Sequence, residues 1–310
     1  MSHETPEARE HTRNIDLTEV ADWRREPGTG LWSFGNEISS VTVDQSPTTV
    51  PVDQETLALR EKVAQHETPT FFSGKFANVE GITLTEHGVQ IQTSETDFFT
   101  YMASAYRHRD NVGQNPIRPL AVQATLFSPD RERMVIERRP ASLADNPEKL
   151  SVFGGALKPN DEPNATILAI LNRKLGLDLQ PDQVKISGLV RENIDNIYCL
   201  TYSVTLNDQQ FVDGRERATA ANRSGERMFY QVNTDDTRKS IEQLFGGKRP
   251  IPEWDPNAYF NILYGLDAEK KRAPEELERM VEQMKQYMSE HPMDYTYPIE
   301  KYLSPDLPNV

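Results

Sequence analysis

Residues 154–177, GGALKPNDEPNATILAILNRKLGL, restrict the fold more than any other stretch of this chain. The pair Gly154-Gly155 opens it, a loop of proline and acids follows, and Pro163 stands where a helix would begin. Ile167, Leu168, Leu171 and Leu175 recur at helical spacing, and Gly176 stands where that helix would stop. Proline's fixed φ and missing N–H are harmless only in a first helical turn, and glycine readily takes the left-handed conformation that ends a helix. The stretch therefore predicts a strand, a turn and a capped helix whose apolar stripe packs on a sheet.

The flanks supply that sheet. Residues 71–93, FFSGKFANVEGITLTEHGVQIQT, read as two alternating strands joined around His87-Gly88. ETDFFTYMASAYRHR follows with Phe98, Phe99, Met102 and Tyr106 at roughly helical spacing. RPLAVQATLFSPDRERMVIERRP reads as a hairpin, with strands 119–127 and 133–139 around the turn Ser128-Pro129-Asp130. VKISGLVRENIDNIYCLTYSVTL gives two more strands, ERMFYQV another, DDTRKSIEQLF a helix, and residues 256–265 a short amphipathic helix. The last element, 274–289, carries Leu277, Met280, Val281, Met284 and Met288 along one face, the pattern of ordinary packing.

Residues 1–68 read as an acidic, partly irregular N-terminal extension, with a short helix over 14–26 and an extended linker over 46–54. Trp23 and Trp32 are unusual in so polar an arm; they are expected to pack on the main domain or on a second subunit, so a homodimer stays open. Residues 69–265 form the main domain and 266–310 a C-terminal helix and tail. Strands, then a loop and helix, then strands, then helices predict an α+β fold, an α/β/α sandwich around a mixed sheet.

The net charge of −14 argues against general binding to nucleic acid or to an anionic membrane. The lone Cys199 lies in the apolar run IYCLTYSV and reads as a buried, inert thiol; it excludes an intrachain disulfide framework. The six histidines include no pair at metal-ligand spacing. No signal-peptide pattern and no run of 18 apolar residues stands out, so a soluble, cytoplasmic protein is the expectation.

The opening stretch resembles the Nudix family. That family's box is Gly, five residues, Glu, seven residues, Arg-Glu, an aliphatic, any residue, Glu-Glu, any residue, Gly and an aliphatic. Laid on this chain without a gap, it runs from Gly155 to Gly176-Leu177. Asp161 falls on the loop Glu, Leu171 on the aliphatic, Ala169-Ile170 on Arg-Glu, and Arg173-Lys174 on the metal-binding Glu-Glu. The hairpin ending in MVIERR, the strand LSVFGG before the box, and the later strand and helix in ERMFYQVNTDDTRKSIEQLF are similar to the order of a Nudix domain. The segment FFSGKFANVEGITLTEHGVQIQTSETDFFTY also looks like the leading strands of the branch acting on UDP-sugars.

Nudix hydrolysis, as the resemblance implies, uses magnesium or manganese ions held largely by carboxylates of the box helix. Here two of those carboxylates are replaced by two cations. A divalent ion and a monovalent cation about 4 Å apart repel by roughly 8 kcal/mol at an effective dielectric near 20, an upper figure because long side chains swing away. No metal is therefore expected on this helix. Gly154, Gly155, Pro163, Leu171 and Gly176 keep a structural role. Arg173 and Lys174, with Arg138 and Arg139 at the end of the hairpin, either lie in solvent or meet phosphate directly, since guanidinium and ammonium groups hold phosphate without metal.

The reading is a catalytically impaired Nudix-like protein that binds a nucleotide or a nucleoside-diphosphate derivative such as a nucleotide sugar, or that serves as a protein-interaction scaffold. The alternative is an active hydrolase of a nucleoside diphosphate linked to another moiety, such as a UDP-sugar or ADP-ribose. It would use magnesium or manganese on carboxylates such as Asp161, Glu192 and Glu226. RNA recognition, known within the family, is disfavoured by the acidic charge.

Overall fold

The computed structural model describes residues 12–22, 24–33, 40–68, 71, 73–85, 88–140, 148–221, 229–231, 254–255, 258–268, 274–290, 295, 297 and 299–303. In chain order the first half holds β1 (Arg13–Asn14), β2 (Gly28–Ser33), β3 (Ser40–Thr49), α1 (Gln54–Ala64), β4 (Lys75–Thr85), β5 (Gly88–Asp97) and α2 (Phe98–Arg107). Next come β6 (Leu120–Phe127), β7 (Arg133–Val135), β8 (Glu137–Arg138), β9 (Leu150–Ser151), β10 (Phe153–Ala156) and α3 (Pro163–Leu175). The chain continues through β11 (Val184–Glu192), β12 (Ile197–Thr205), α4 (Asp208–Ala221), β13 (Phe229–Gln231) and α5 (Ala258–Asp267).

The fold is α+β around a mixed sheet. The larger sheet runs β13-β7-β6-β12-β11-β2, with β10 also paired to β6. β6 is buried along its whole length, as a central strand must be, and it runs parallel to β12 and antiparallel to β7 and β10. A parallel pair needs a crossover, and the segment carrying β10 and α3 lies in that connection. A second sheet, β1-β4-β5-β3, is built on the antiparallel hairpin β4–β5.

Alternation along the strands puts helices on both faces. A side-chain carbon at Gly155 would meet Ile170 of α3, whereas one at its neighbour Gly154 would meet Gln123 on the other face. That other face carries α5, whose Asn261 touches Gln123 and Thr125. α3 begins as its sequence predicts: Pro163 occupies the first turn and the Glu162 carboxylate caps the Ala165 N–H at 2.7 Å. It ends at Gly176, left-handed at φ 59°, whose N–H donates to the Asn172 carbonyl.

Three local expectations are corrected. None of the described residues in 14–26 is helical: β1 pairs with β4, and the Asp16 carboxylate accepts from the Thr18 N–H and hydroxyl, a local alternative to helix hydrogen bonds. The linker over 46–54 is instead the end of β3, parallel to β5, followed by α1 with Asp53 as its cap. The strand expected over 133–139 breaks at Ile136. Met134 and Val135 pair with β6, while Glu137 and Arg138 pair with β9. Trp23, Glu226, His87 and the helix expected over 235–245 lie outside the described residues, as does the side chain of Trp32 in β2. The C-terminal helix Pro274–Glu290 buries Met280, Met284 and Met288. No helix among the described residues is long and apolar enough to cross a membrane.

Candidate functional site

On the Gln123 face of the larger sheet, where it meets the second sheet and α2, lies a cleft of about 170 Å³. Phe76, Phe98 and Tyr101 form one side, and Ala121, Gln123 and the backbone from Gly154 to Ala156 form another. Glu137, Arg139 and Ile197 complete the lining, together with Pro119 and Val152. The rings of Phe76 and Phe98 each lie with their centroids 6.0 Å from that of Tyr101, which makes an aromatic corner. Larger, shallower grooves of about 470 and 420 Å³ flank Glu162 and Pro163, but their polar residues Lys158, Asn160, Asp161 and Glu162 are solvated surface groups. Convergent buried polar groups distinguish the smaller cleft.

Each polar side chain of the cleft is held by a partner. The Lys174 ammonium donates to both carboxylate oxygens of Glu137 at 2.8 Å, with the two side chains 31% and 15% exposed. Arg139 Nη1 lies 2.9 Å from the buried Asp255 carboxylate. The Tyr101 hydroxyl donates to Asp195 Oδ2 at 2.8 Å, and the Tyr295 hydroxyl donates to the same oxygen at 2.7 Å. Gln123, 5% exposed, accepts a hydrogen bond on Oε1 from Asn261 Nδ2 at 2.5 Å.

The residues singled out by sequence are dispersed by the fold. Arg139 lines the cleft and Lys174 reaches it through Glu137. Arg138 instead donates to the Glu148 carbonyl at 2.7 Å, and Arg173 is exposed on α3. Gly154 and Gly155 form the cleft floor, while Leu171 is one of the buried residues of α3. Asp161 sits exposed in the box loop. Glu192 is fully buried at the end of β11, opposite Ile197. Cys199 is buried, and burial pushes its thiol well above the ordinary range; the Glu192 and Asp255 carboxylates add to this, as expected of an inert thiol.

Magnesium or manganese held where the resemblance implies would need oxygen donors on α3. At the four aligned positions Ala169 and Arg173 are exposed, Ile170 packs under Gly155, and Lys174 closes on Glu137. Those residues do not fit a divalent cation. Among the described residues no group of three or more His, Cys, Asp or Glu side chains is placed to hold a metal.

The sequence reading missed Gln123, Glu137, Asn261 and Tyr101; Asp195 stood out beside Glu192 only as a loop carboxylate, not as the acceptor of two tyrosine hydroxyls. A polar amide inside the otherwise apolar strand LAVQATLF, and another in AYFNILYG, are the signals that could have found the first and third.

No family model matches the sequence, and no curated protein matches it significantly. Among solved structures the chain is similar in part to one described as the crystal structure of a MutT/nudix family protein from Enterococcus faecalis. That similarity has 10% identity, covers 29% of this chain and 38% of that one, and has a TM-score of 0.26. The overlap takes in less than half of either chain, and at that TM-score it carries no argument about family or activity.

Proposed function

We propose that this chain is a Nudix-like binding protein that holds a nucleotide or nucleoside-diphosphate derivative in the Gln123 cleft and lacks the family's metal-dependent hydrolysis. The observation that carries this reading is the ion pair between Lys174 and Glu137. At the position where the resemblance implies a metal-binding carboxylate, α3 presents an ammonium, and that ammonium neutralises the nearest cleft carboxylate. A cation site has become a closed internal pair.

Shape supports the same reading. The cleft is smaller than the roughly 300–1,000 Å³ typical of pockets for drug-sized ligands, so it takes one moiety of a larger molecule. Its aromatic corner suits a planar ring, and Arg139 is the cationic side chain that lines it. The scaffold version has less support: the exposed large hydrophobic side chains among the described residues are Leu57 and Val212, which make no contiguous patch. The hydrolase alternative is weakened by the complete burial of Glu192. A cytoplasmic setting, where free thiols persist, belongs to this proposal.

The test incubates the protein with UDP-sugars, ADP-ribose and NAD in magnesium or manganese and measures monophosphate release, then measures thermal shift with the same ligands. No turnover together with a ligand-dependent rise in Tm is the expected result. Metal-dependent turnover that Glu192→Gln or Glu226→Gln abolishes would overturn the reading.

A further inference from the structure

Gln123 is a polar group of the cleft whose donor end no described residue takes. Glu137 is engaged by Lys174, Arg139 by Asp255 and the Tyr101 hydroxyl by Asp195. Gln123 is engaged through its carbonyl oxygen alone, because Asn261 donates to Oε1. Its Nε2 has no hydrogen-bond partner among the described residues, although the side chain is 95% buried and lines the cleft. An amide nitrogen carries two N–H donors, and here they are available to a ligand seated in the cleft.

Three features make this a built position. Gln123 lies in the central strand β6, so its backbone is fixed by pairing with β10 and β12. Asn261, itself buried on α5, holds the amide by its oxygen end. The cross-strand residue is Gly154, where a side-chain carbon would stand 2.4 Å from Gln123 Cγ, so the glycine leaves the space the glutamine stem uses.

We infer that Gln123 reads the ring seated in this cleft and selects a planar heterocycle that presents a ring carbonyl, an oxo base, over one that presents an amino group. This rests on the reading of the cleft as a nucleotide site and names what the site prefers. The size agrees: a cavity of about 150 Å³ lined by apolar and aromatic side chains admits benzene, and this one is about 170 Å³. The rings of Phe76, Phe98 and Tyr101 supply apolar contact that any base accepts, so they do not discriminate. Discrimination falls to the amide. With its oxygen held by Asn261 it meets the base as a donor only; a carbonyl at the C4 or C6 position facing it accepts that bond, whereas an amino group in the same place is a second donor. A site built around one hydrogen bond rejects the analogue that cannot make it.

Calorimetric titration of the full chain with UDP, CDP, IDP and ADP tests this without any variant. UDP and IDP differ from CDP and ADP in carrying the carbonyl where the others carry the amine, so the pyrimidine and purine sources of the oxo edge are read separately. UDP, IDP or both are expected to bind about tenfold or more tightly than the amino counterpart. Gln123→Met, matched in length, is expected to bring the ratio near unity while binding persists through the ring contacts. Asn261→Leu is expected to lower the ratio with Gln123 intact, because it releases the amide to turn. Equal affinities for all four ligands, or a preference for CDP and ADP, would overturn the inference and leave the nucleotide reading standing. Failure of every one of the four to bind would overturn both.

Discussion

Gly154 and Gln123 face each other across β10 and β6, and the missing side chain of the first makes room for the second. A carbon added at Gly154 would lie 2.4 Å from Gln123 Cγ and 2.5 Å from the Val122 carbonyl oxygen, both under van der Waals contact. The next residue, Gly155, points to the opposite face, where an added carbon would stand 3.3 Å from Ile170 Cδ1. Adjacent glycines thus answer to different neighbours. Gly154→Ala is expected to destabilise the protein by about 1–3 kcal/mol, the usual cost of overpacking a strand interior. Gly155→Ala, which asks only for a small adjustment of one methyl, is expected to cost well under half of that. Urea denaturation of the two variants checks the contrast, and equal losses would contradict it.

The glycine pair shows what the sequence made legible. Spacing within 154–177 was enough to place the strand, the capped helix and the left-handed stop at Gly176, because each rests on local chemistry. The hairpins β4–β5 and β11–β12 were legible for the same reason. β3 was not: its SVTVDQSPTT is polar and holds Pro47, which an edge strand tolerates beside the register shift between Gln45 and Thr49. The site itself was less legible than the fold. Asp195 meets Tyr101 and Tyr295 from positions 94 and 100 residues away, and no local pattern encodes such a meeting. Lys174 was singled out for its charge, but its partner Glu137, 37 residues earlier, was not.

That pair makes a measurable demand on stability. Glu137 is largely buried and both of its oxygens accept from Lys174, so Lys174→Met leaves a carboxylate poorly solvated and unopposed. The loss is expected to be about 1–2 kcal/mol, less than for a fully buried pair because Lys174 retains partial exposure. Glu137→Gln in the Lys174→Met background should recover part of it, since the uncompensated charge is then gone. A double-mutant cycle by chemical denaturation measures the coupling. Strict additivity would show that the pair is only a surface contact.

Asp195 links the cleft wall to the C-terminal segment. It is 1% exposed and accepts on one oxygen from Tyr101, which lines the cleft, and from Tyr295. Tyr101→Phe keeps the ring and removes the donor, and is expected to cost about 1–3 kcal/mol, because a buried acceptor loses a partner. Tyr295→Phe acts on the same oxygen, so the double variant should lose more than the sum of the two. Melting temperatures of the three variants decide this, and an additive result would mean that the two hydroxyls act independently.

The cap of α2 predicts a pH dependence whose direction is fixed. Asp97 accepts from the Phe99 and Thr100 N–H groups, both at 3.1 Å, and from the hydroxyls of Ser73 and Thr100, with Arg60 at 3.4 Å. Burial pushes its carboxyl up, but those hydrogen bonds and the Arg60 charge outweigh burial and hold it below its ordinary value of 3.8. A carboxyl depressed in the folded state contributes stability that is fully present above the unfolded value and is lost as pH falls through the folded one. Asp97→Ala removes both the cap and the charge, and at about pH 7 it is expected to cost about 1–2 kcal/mol. The deficit relative to the parent should stay constant from about pH 8 down to about pH 5 and shrink below about pH 4, as first the unfolded and then the folded parent takes up a proton on this carboxyl. Denaturation midpoints of both proteins across that range test this. A deficit that grew on acidification would show that the Asp97 carboxyl is raised in the folded protein, against the balance of donors around it.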